Sequence, residues 1–185
     1  MKTALSLVVA VAAAGYCFAA PEKDQEGTVS GKVVKSGETV LAVAVKDGKE
    51  QAFHVPKVPK DASKEEKSRI EMIRIAATKS LKPGIPVTVQ WRAGDKDTKV
   101  IEKLSASGSI EGVVVKPREK LILRVKVEGI DGPMTFAARW VKQNRKWVAK
   151  ISEVKAFAGI PTGARVAVTY ELEEHFRVND LKMIK

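Results

Sequence analysis

The sequence has 185 residues, with 33 basic and 22 acidic side chains and a formal net charge of +11 at neutral pH. This positive excess favours anionic partners such as nucleic acid, acidic polysaccharide or an anionic surface. The single cysteine, Cys17, excludes a framework of intrachain disulfides and a site built from several thiolate ligands.

The N-terminal segment has the pattern of a secretion signal. Lys2 precedes an apolar run, Ala4–Ala14, which is too short to span a bilayer but matches the apolar core of a signal peptide. Small side chains at Cys17 and Ala19 predict cleavage after Ala19, so residues 1–19 are expected to be removed. The alternative, lipidation of the cysteine, is disfavoured by the bulky residue before it. We therefore expect an exported protein, periplasmic or secreted, without a cysteine or a transmembrane segment.

Two segments of the chain repeat one pattern. Gly27–Lys35 reads GTVSGKVVK and Gly108–Lys116 reads GSIEGVVVK, with five of nine positions identical at an offset of 81 residues. Such an echo predicts two copies of one structural unit, at residues 27–104 and 108–185. The positive excess is shared evenly, because residues 27–107 carry 16 basic and 10 acidic side chains and residues 108–185 carry 15 and 9.

In the first unit, alternating apolar residues predict three strands, a helix and two further strands. Asp47-Gly48 is a hairpin signal, and Ser63 opens a capping box that predicts the start of the helix. The apolar stripe of this helix contains Ile70, Ile73, Ala77 and Leu81. The predicted strands are Val29–Lys35, Thr39–Lys46, Lys49–Val55, a fourth containing Val87, Val89 and Trp91, and Lys99–Leu104.

The second unit is predicted to repeat this order. Asn144 is expected to cap its helix, with an apolar stripe of Trp147, Ile151, Val154 and Ala158. Trp91 and Tyr170 take equivalent places in the fourth strands, in phase with valines, and both are expected to be core residues. The predicted strands are Ser109–Lys116, Lys120–Val127, Met134–Val141, a fourth containing Val166, Val168 and Tyr170, and Phe176–Met183.

Five strands with a helix between the third and fourth favour a mostly β protein of two tandem five-stranded OB-like barrels. SH3-like barrels are the alternative, since they also have five strands. The pattern V-x-G-x-V-V-K, an Asp-Gly hairpin, and then G-x-x-V-x-V-x-[WY] resembles the small exported β-barrel domains of unknown function found in bacterial genomes. This resemblance implies an architecture for both units and no activity.

The sequence offers little for catalysis. Its two histidines, His54 and His175, lie at non-equivalent places in the two units, and no Ser-His-Asp pattern, glycine-rich phosphate loop or paired-histidine motif is present. Glu171, Glu173, Glu174 and His175 form a cluster that can be interpreted as a metal site or as a polar turn, and the turn is the favoured interpretation. We therefore expect no enzymatic activity, no cofactor and no metal.

The strongest binding candidate is Arg139–Trp147, RWVKQNRKW, in which four cations are bracketed by Trp140 and Trp147. Cations bind phosphate or sulfate oxygens, and an indole ring can stack on a base or a sugar. The alternative is that both tryptophans belong to the core. OB-folds usually bind their ligands on the face of strands two and three and on the neighbouring loops. In the second unit, the second strand and the loop before it carry further cations, which we include in the predicted site. The predicted binding residues are Lys116, Arg118, Lys120, Arg124, Lys126, Arg139, Trp140, Lys142, Arg145 and Lys146.

Together these features predict an exported, non-enzymatic binding module with a basic surface. The expected partner is an anionic polymer or an envelope or extracellular protein. Acidic polysaccharide is favoured over nucleic acid, because the aromatic content is only 5% and the loop between the last two strands is acidic. The alternative is a structural or assembly component of the cell envelope.

Overall fold

The computed structural model describes residues 25–115 and 121–184, and the predicted signal peptide lies outside them. The chain is mostly β, which confirms the predicted class. The first unit contains strands β1 to β5, helix α1 continued by a π-helical turn at Ala76–Ser80, and a short 3₁₀ turn at Asp95–Asp97. The bounds are β1 Glu26–Ser36, β2 Val40–Ala44, β3 Glu50–His54, α1 Lys64–Ile75, β4 Pro86–Ala93 and β5 Lys99–Ser105.

The second unit begins at Ser107, with Ala106 alone between it and β5, and it contains two more strands than the first. Its elements are β6 Ser107–Val115, β7 Ile122–Lys126, β8 Met134–Ala137, β9 Trp140–Gln143, β10 Lys146–Ala149, α2 Ile151–Gly159, β11 Arg165–Leu172 and β12 Phe176–Met183. The region Lys116–Lys120, where one predicted strand ends and the next begins, lies outside the described residues.

Each unit closes its sheet into a five-stranded barrel. In the first, the order around the barrel is β1-β2-β3-β5-β4, and in the second it is β6-β7-β8-β12-β11. All described pairings between barrel strands are antiparallel except β3 with β5 and β8 with β12, which are parallel. A bulge precedes Trp91 in β4 and Tyr170 in β11, so the irregularity recurs as well as the strand order.

The glycines of the repeated segment explain why the pattern occurs twice. A Cβ on Gly31 would meet the carbonyl oxygen of Ala44, and one on Gly112 would meet that of Lys126, well inside van der Waals distance in both cases. The first strand of each barrel therefore needs glycine where the second strand crosses it. The earlier glycine of each copy lies beside the large ring of the fourth strand: a Cβ on Gly27 would lie 3.0 Å from Trp91, and one on Gly108 would lie 3.6 Å from Tyr170.

The predicted core positions of both fourth strands and of the first unit's helix are buried. Trp91 and Tyr170 are 8% and 1% exposed, and the valines that alternate with them are buried too. Ser63 caps α1, since its hydroxyl accepts a hydrogen bond from the amide of Glu66 at 3.1 Å. The predicted stripe of this helix is buried at all four of its positions, Ile70, Ile73, Ala77 and Leu81.

The prediction for the middle of the second unit was wrong. The third strand ends at Ala137 instead of Val141, and Asn144 does not cap a helix. An antiparallel pair of strands, β9 and β10, occupies this segment, and α2 starts only at Ile151. The predicted helical stripe also fails, because Ile151 and Ala158 are exposed and the buried residue of α2 is Phe157.

The two units are in direct contact. Ala106, between them, is 5% exposed, and its carbonyl oxygen accepts a hydrogen bond from the amide of Leu172 at 2.7 Å. The Ser80 hydroxyl donates to the carbonyl oxygen of Glu174 at 3.2 Å, and Gly84 packs against the backbone of Gly129. Within the part of the chain that the structure describes, no helix has the length and apolar character needed to cross a membrane.

Candidate ligand-binding site

The two extra strands of the second unit, β9 and β10, form a hairpin with a two-residue turn, here called the tryptophan hairpin (Trp140–Ala149). Gln143 pairs with Lys146, so Asn144 and Arg145 alone make the turn. Their φ angles are 50° and 63°, the combination required by a type I′ turn, which matches the twist of paired strands. Asparagine tolerates this conformation well, whereas arginine is strained there by about 1 kcal/mol.

The register of the hairpin separates its side chains into two faces. Trp140 lies opposite Ala149, and Lys142 lies opposite Trp147. Because side chains alternate along a strand, these four share one face, with the two tryptophans as diagonal neighbours. The opposite face carries Val141, Gln143, Lys146 and Val148.

The hairpin leaves its largest apolar side chains in solvent. Trp147 is 67% exposed and Trp140 is 52% exposed, while Ile151, just beyond the hairpin, is 61% exposed. The alternative interpretation of these tryptophans as core residues is therefore wrong. Burying an indole is strongly favourable, so two exposed rings on one face are typical of an interaction surface.

Ion pairs hold the base of the hairpin against the barrel. Arg139, immediately before β9, lies 2.6 Å from Glu171, 3.5 Å from Glu153 and 3.9 Å from Glu173, each distance joining a guanidinium nitrogen to a carboxylate oxygen. Its backbone amide also donates to Glu153 at 2.8 Å. Arg139, a predicted binding residue, is therefore occupied by contacts inside the protein. We call this set of ion pairs between Arg139 and Glu153, Glu171 and Glu173 the basal network.

Arg177 completes the basal network from β12. It is 7% exposed, and its guanidinium donates to the carbonyl oxygens of Ala137 and Ala138 at 3.2 and 2.9 Å. It also forms an ion pair with Glu173 at 3.1 Å. The backbone leading from β8 into the hairpin is therefore fixed by a buried arginine whose own charge is paired.

The basal network accounts for the acidic cluster noted in the sequence. Glu171 and Glu173 face arginines, and among the described residues no group of three or more His, Cys, Asp or Glu side chains has the arrangement of a metal site. Burial and the nearby Arg177 lower the pKa of His175, whose Nδ1 lies 3.4 Å from the hydroxyl oxygen of Ser80 in the first unit.

The remaining predicted binding residues fall into three groups. Lys142, Arg145 and Lys146 are exposed on the hairpin, and none of them makes an ion pair with another described residue. Arg124 and Lys126 lie on β7 in the barrel wall, where Arg124 is half-buried and Lys126 exposed. The loop residues Lys116, Arg118 and Lys120 lie outside the described residues.

Trp147 ends the predicted binding stretch, but it was not counted among the predicted binding residues because it was also assigned to the apolar stripe of a helix. A signal for the correct structure was present. The strands WVKQ and KWVA both carry Trp-Val, and they flank Asn144, which readily adopts positive φ. Two β-favouring runs separated by two residues predict a hairpin.

Comparisons of the chain with protein-family models, curated proteins and solved structures find no match.

Proposed function

We propose that the protein is an exported, non-enzymatic binding module made of two tandem OB-like barrels, and that its ligand is an anionic polymer. The strand order in both units, with strand three parallel to strand five and a helix before strand four, supports the OB-like assignment. Export is supported by the pattern of residues 1–19, and N-terminal sequencing of the exported protein should then read Ala-Pro-Glu-Lys.

The observation that carries the proposal is the tryptophan hairpin. It projects two exposed indoles together with Lys142, Arg145 and Lys146, which have no carboxylate partner among the described residues. The carboxylates nearest its base are already paired with Arg139 and Arg177. The outer part of the hairpin therefore carries three positive charges that no described carboxylate compensates, and these can meet an anionic chain.

Retention on a heparin column in a salt gradient tests the proposal. Each neutralised anionic group releases counterions, so affinity should fall steeply with salt. Replacing Lys142, Arg145 and Lys146 by Ala should reduce retention and flatten the dependence of log K on log salt by roughly 0.7–0.9 for each of these cations that contacts the polymer.

The matched control replaces three exposed cations of the first unit, Lys46, Lys57 and Lys60, by Ala. This variant loses the same charge and should stay much closer to the wild-type protein. Equal losses in both variants would mean that overall charge, and not the hairpin, governs binding. No retention of the wild-type protein at low salt would overturn the proposal, and a stoichiometric protein partner would then favour a structural or assembly role.

A further inference from the structure

One face of the tryptophan hairpin presents two rings and one cation. Trp140 and Trp147 are diagonal neighbours, and Lys142 lies directly across from Trp147 on the same face. We infer that this face binds an acidic polysaccharide, with sugar rings stacked on the two indoles and a carboxylate or sulfate of the chain paired with Lys142. This inference rests on the proposed function and names the class of its ligand.

The balance of rings and charge favours a polysaccharide over a nucleic acid. The apolar C–H face of a pyranose packs against the electron-rich face of an indole, and a base can stack there too. A nucleic acid, however, brings one phosphate for every base. The hairpin face offers one cation for two rings, and the other hairpin cations are at the turn and on the opposite face. A polymer with one anionic group for every two sugars matches this ratio.

The paired charges at the hairpin base point the same way. Arg139 and Arg177 already face Glu171 and Glu173, so the described residues in this part of the barrel offer no unpaired arginine to a second anionic group. A densely charged chain that ran from the hairpin onto the barrel would leave most of its anions without a cation. A chain of lower charge density avoids that cost.

A lipid surface fits the hairpin less well. Insertion into a bilayer needs an apolar tip with cations behind it, as in interfacial anchors. Here the order is reversed, because the tip is Gln143, Asn144, Arg145 and Lys146 and the tryptophans lie behind it. The tip would carry its charges into the hydrocarbon region before either indole reached the interface.

The backbone of the hairpin is anchored at its base without any ligand. The basal network holds both ends of the hairpin, through the contacts of Arg139 and through the hydrogen bond from the amide of Lys150 to the carbonyl oxygen of Arg139 at 2.7 Å. A strand pair anchored in this way loses less backbone entropy on binding a ligand than a free loop would.

The experiment compares four polymers at equal charge concentration and fixed ionic strength. Hyaluronate carries one carboxylate per two sugars, polygalacturonate one per sugar, polyphosphate has no ring, and oligo(dT) has one phosphate per base. Acrylamide quenching of tryptophan fluorescence reports ring coverage, because Trp91 is buried and Trp140 and Trp147 are exposed. At equal charge concentration, we expect hyaluronate to have the highest affinity of the four polymers and to protect the rings from acrylamide. Polyphosphate should leave the rings open to quenching.

Variants then separate rings from charge. Trp140→Leu and Trp147→Leu should each weaken polysaccharide binding about tenfold and leave polyphosphate binding unchanged, by analogy with the loss of a stacked base. Trp147→Phe should restore part of the affinity. Ile151→Ala is the control, because it removes an exposed apolar side chain without removing a ring. Unfolding curves of the variants verify that each remains folded.

A second pair of variants tests the assignment to one face. Lys142→Ala and Lys146→Ala remove the same charge from the same hairpin, but from opposite faces. We expect Lys142→Ala to reduce hyaluronate affinity several-fold more than Lys146→Ala. Equal effects of the two would contradict the assignment.

The outcomes distinguish the two proposals. If no polymer binds, the proposed function fails. If all polymers bind equally and the Trp→Leu variants bind like the wild-type protein, the anionic-polymer function stands and the polysaccharide inference is wrong. Tighter binding of oligo(dT) for its charge, or ring protection by vesicles of anionic phospholipid with no polysaccharide binding, would also overturn the inference.

Discussion

The two barrels have the same strand order but differ in the connection between the third strand and the helix. In the first, Pro56 and Pro59 come after β3, and a proline cannot donate the hydrogen bonds that a further strand needs. The chain therefore crosses in an irregular segment to a capped helix. In the second, no proline occurs between Pro133 and Pro161, and the same connection becomes the tryptophan hairpin, with a shorter helix after it.

The two units also differ in their buried charge. Arg177 is the buried charged residue of the described chain, and the first unit has no described counterpart. The basal network that surrounds it lies where the hairpin joins the barrel. The second unit thus keeps the core of the first and adds a supported projection, which is why the binding proposal falls on the second unit.

The largest expected effect tests the shared core. Trp91→Ala and Tyr170→Ala should each lower the free energy of unfolding by about 3–5 kcal/mol in chemical denaturation, because each removes a large ring from a closed barrel. Trp147→Ala, which removes an exposed ring, should change it by less than about 0.5 kcal/mol.

Tyr170→Phe is the matched control for the ring itself. The Tyr170 hydroxyl is buried without a hydrogen-bond partner among the described residues, and the ring packs against Phe136 and Phe176 with centroids 6.0 and 5.2 Å away. Losing the hydroxyl should therefore cost far less than losing the ring. A small effect of Tyr170→Ala would mean that the two fourth strands do not contribute equally to stability.

The next prediction concerns the glycine that both copies of the repeated segment share, Gly31 in the first and Gly112 in the second. Gly31→Ala and Gly112→Ala should each destabilise the protein by about 1–3 kcal/mol, because the new methyl group meets a backbone carbonyl that cannot move aside cheaply. The control is Gly37→Ala, whose Cβ would lie 3.8 Å from its nearest neighbour. It should be neutral or stabilising by up to about 1 kcal/mol in the same thermal or denaturant experiment.

The predictions made from the sequence succeeded where the local pattern and the tertiary packing agree. The paired glycines, the alternating valines and the capping serine each depend on close neighbours in sequence or on a repeated environment. The hairpin was missed because its second tryptophan fits a helical spacing with the residues after it. Trp147 nevertheless lies in a strand, and the helix begins only at Ile151. Arg139 pairs with the carboxylate of Glu171, and Arg177 donates to the backbone carbonyl of Ala137. Both partners are more than 30 residues away in sequence, so no local pattern reveals these roles.

A difference of similar size is expected at the base of the hairpin, where the second unit has a buried arginine and the first unit has no described counterpart. Arg177→Leu should destabilise the protein by about 1–3 kcal/mol, since it leaves the carbonyl oxygens of Ala137 and Ala138 without a donor. Arg165→Leu is the control, because its ion pair with Glu111 is exposed on both sides and contributes little. Equal stabilities of the two variants in urea unfolding would contradict a structural role for the basal network.

The smallest effect concerns the contact between the two units and depends on pH. Burial and the neighbouring Arg177 lower the pKa of His175 below its usual 6.5, although Glu174 opposes the shift and Lys79 adds to it. A histidine with a lowered pKa in the folded state binds its proton more readily when unfolded. Its contribution to stability is therefore complete above about pH 6.5 and is lost as the pH falls through that value towards the folded-state pKa.

Urea unfolding between about pH 5 and pH 8 should show a shallow decline in stability on the acidic side. His175→Gln should flatten the decline, because glutamine has no charge to gain beside Ser80 and Arg177. His54→Gln is the matched control, since His54 is exposed on β3 and lies outside this contact. If the pH dependence persists in the His175 variant and disappears in the His54 variant, the acid sensitivity belongs to the first barrel and not to the contact between the two.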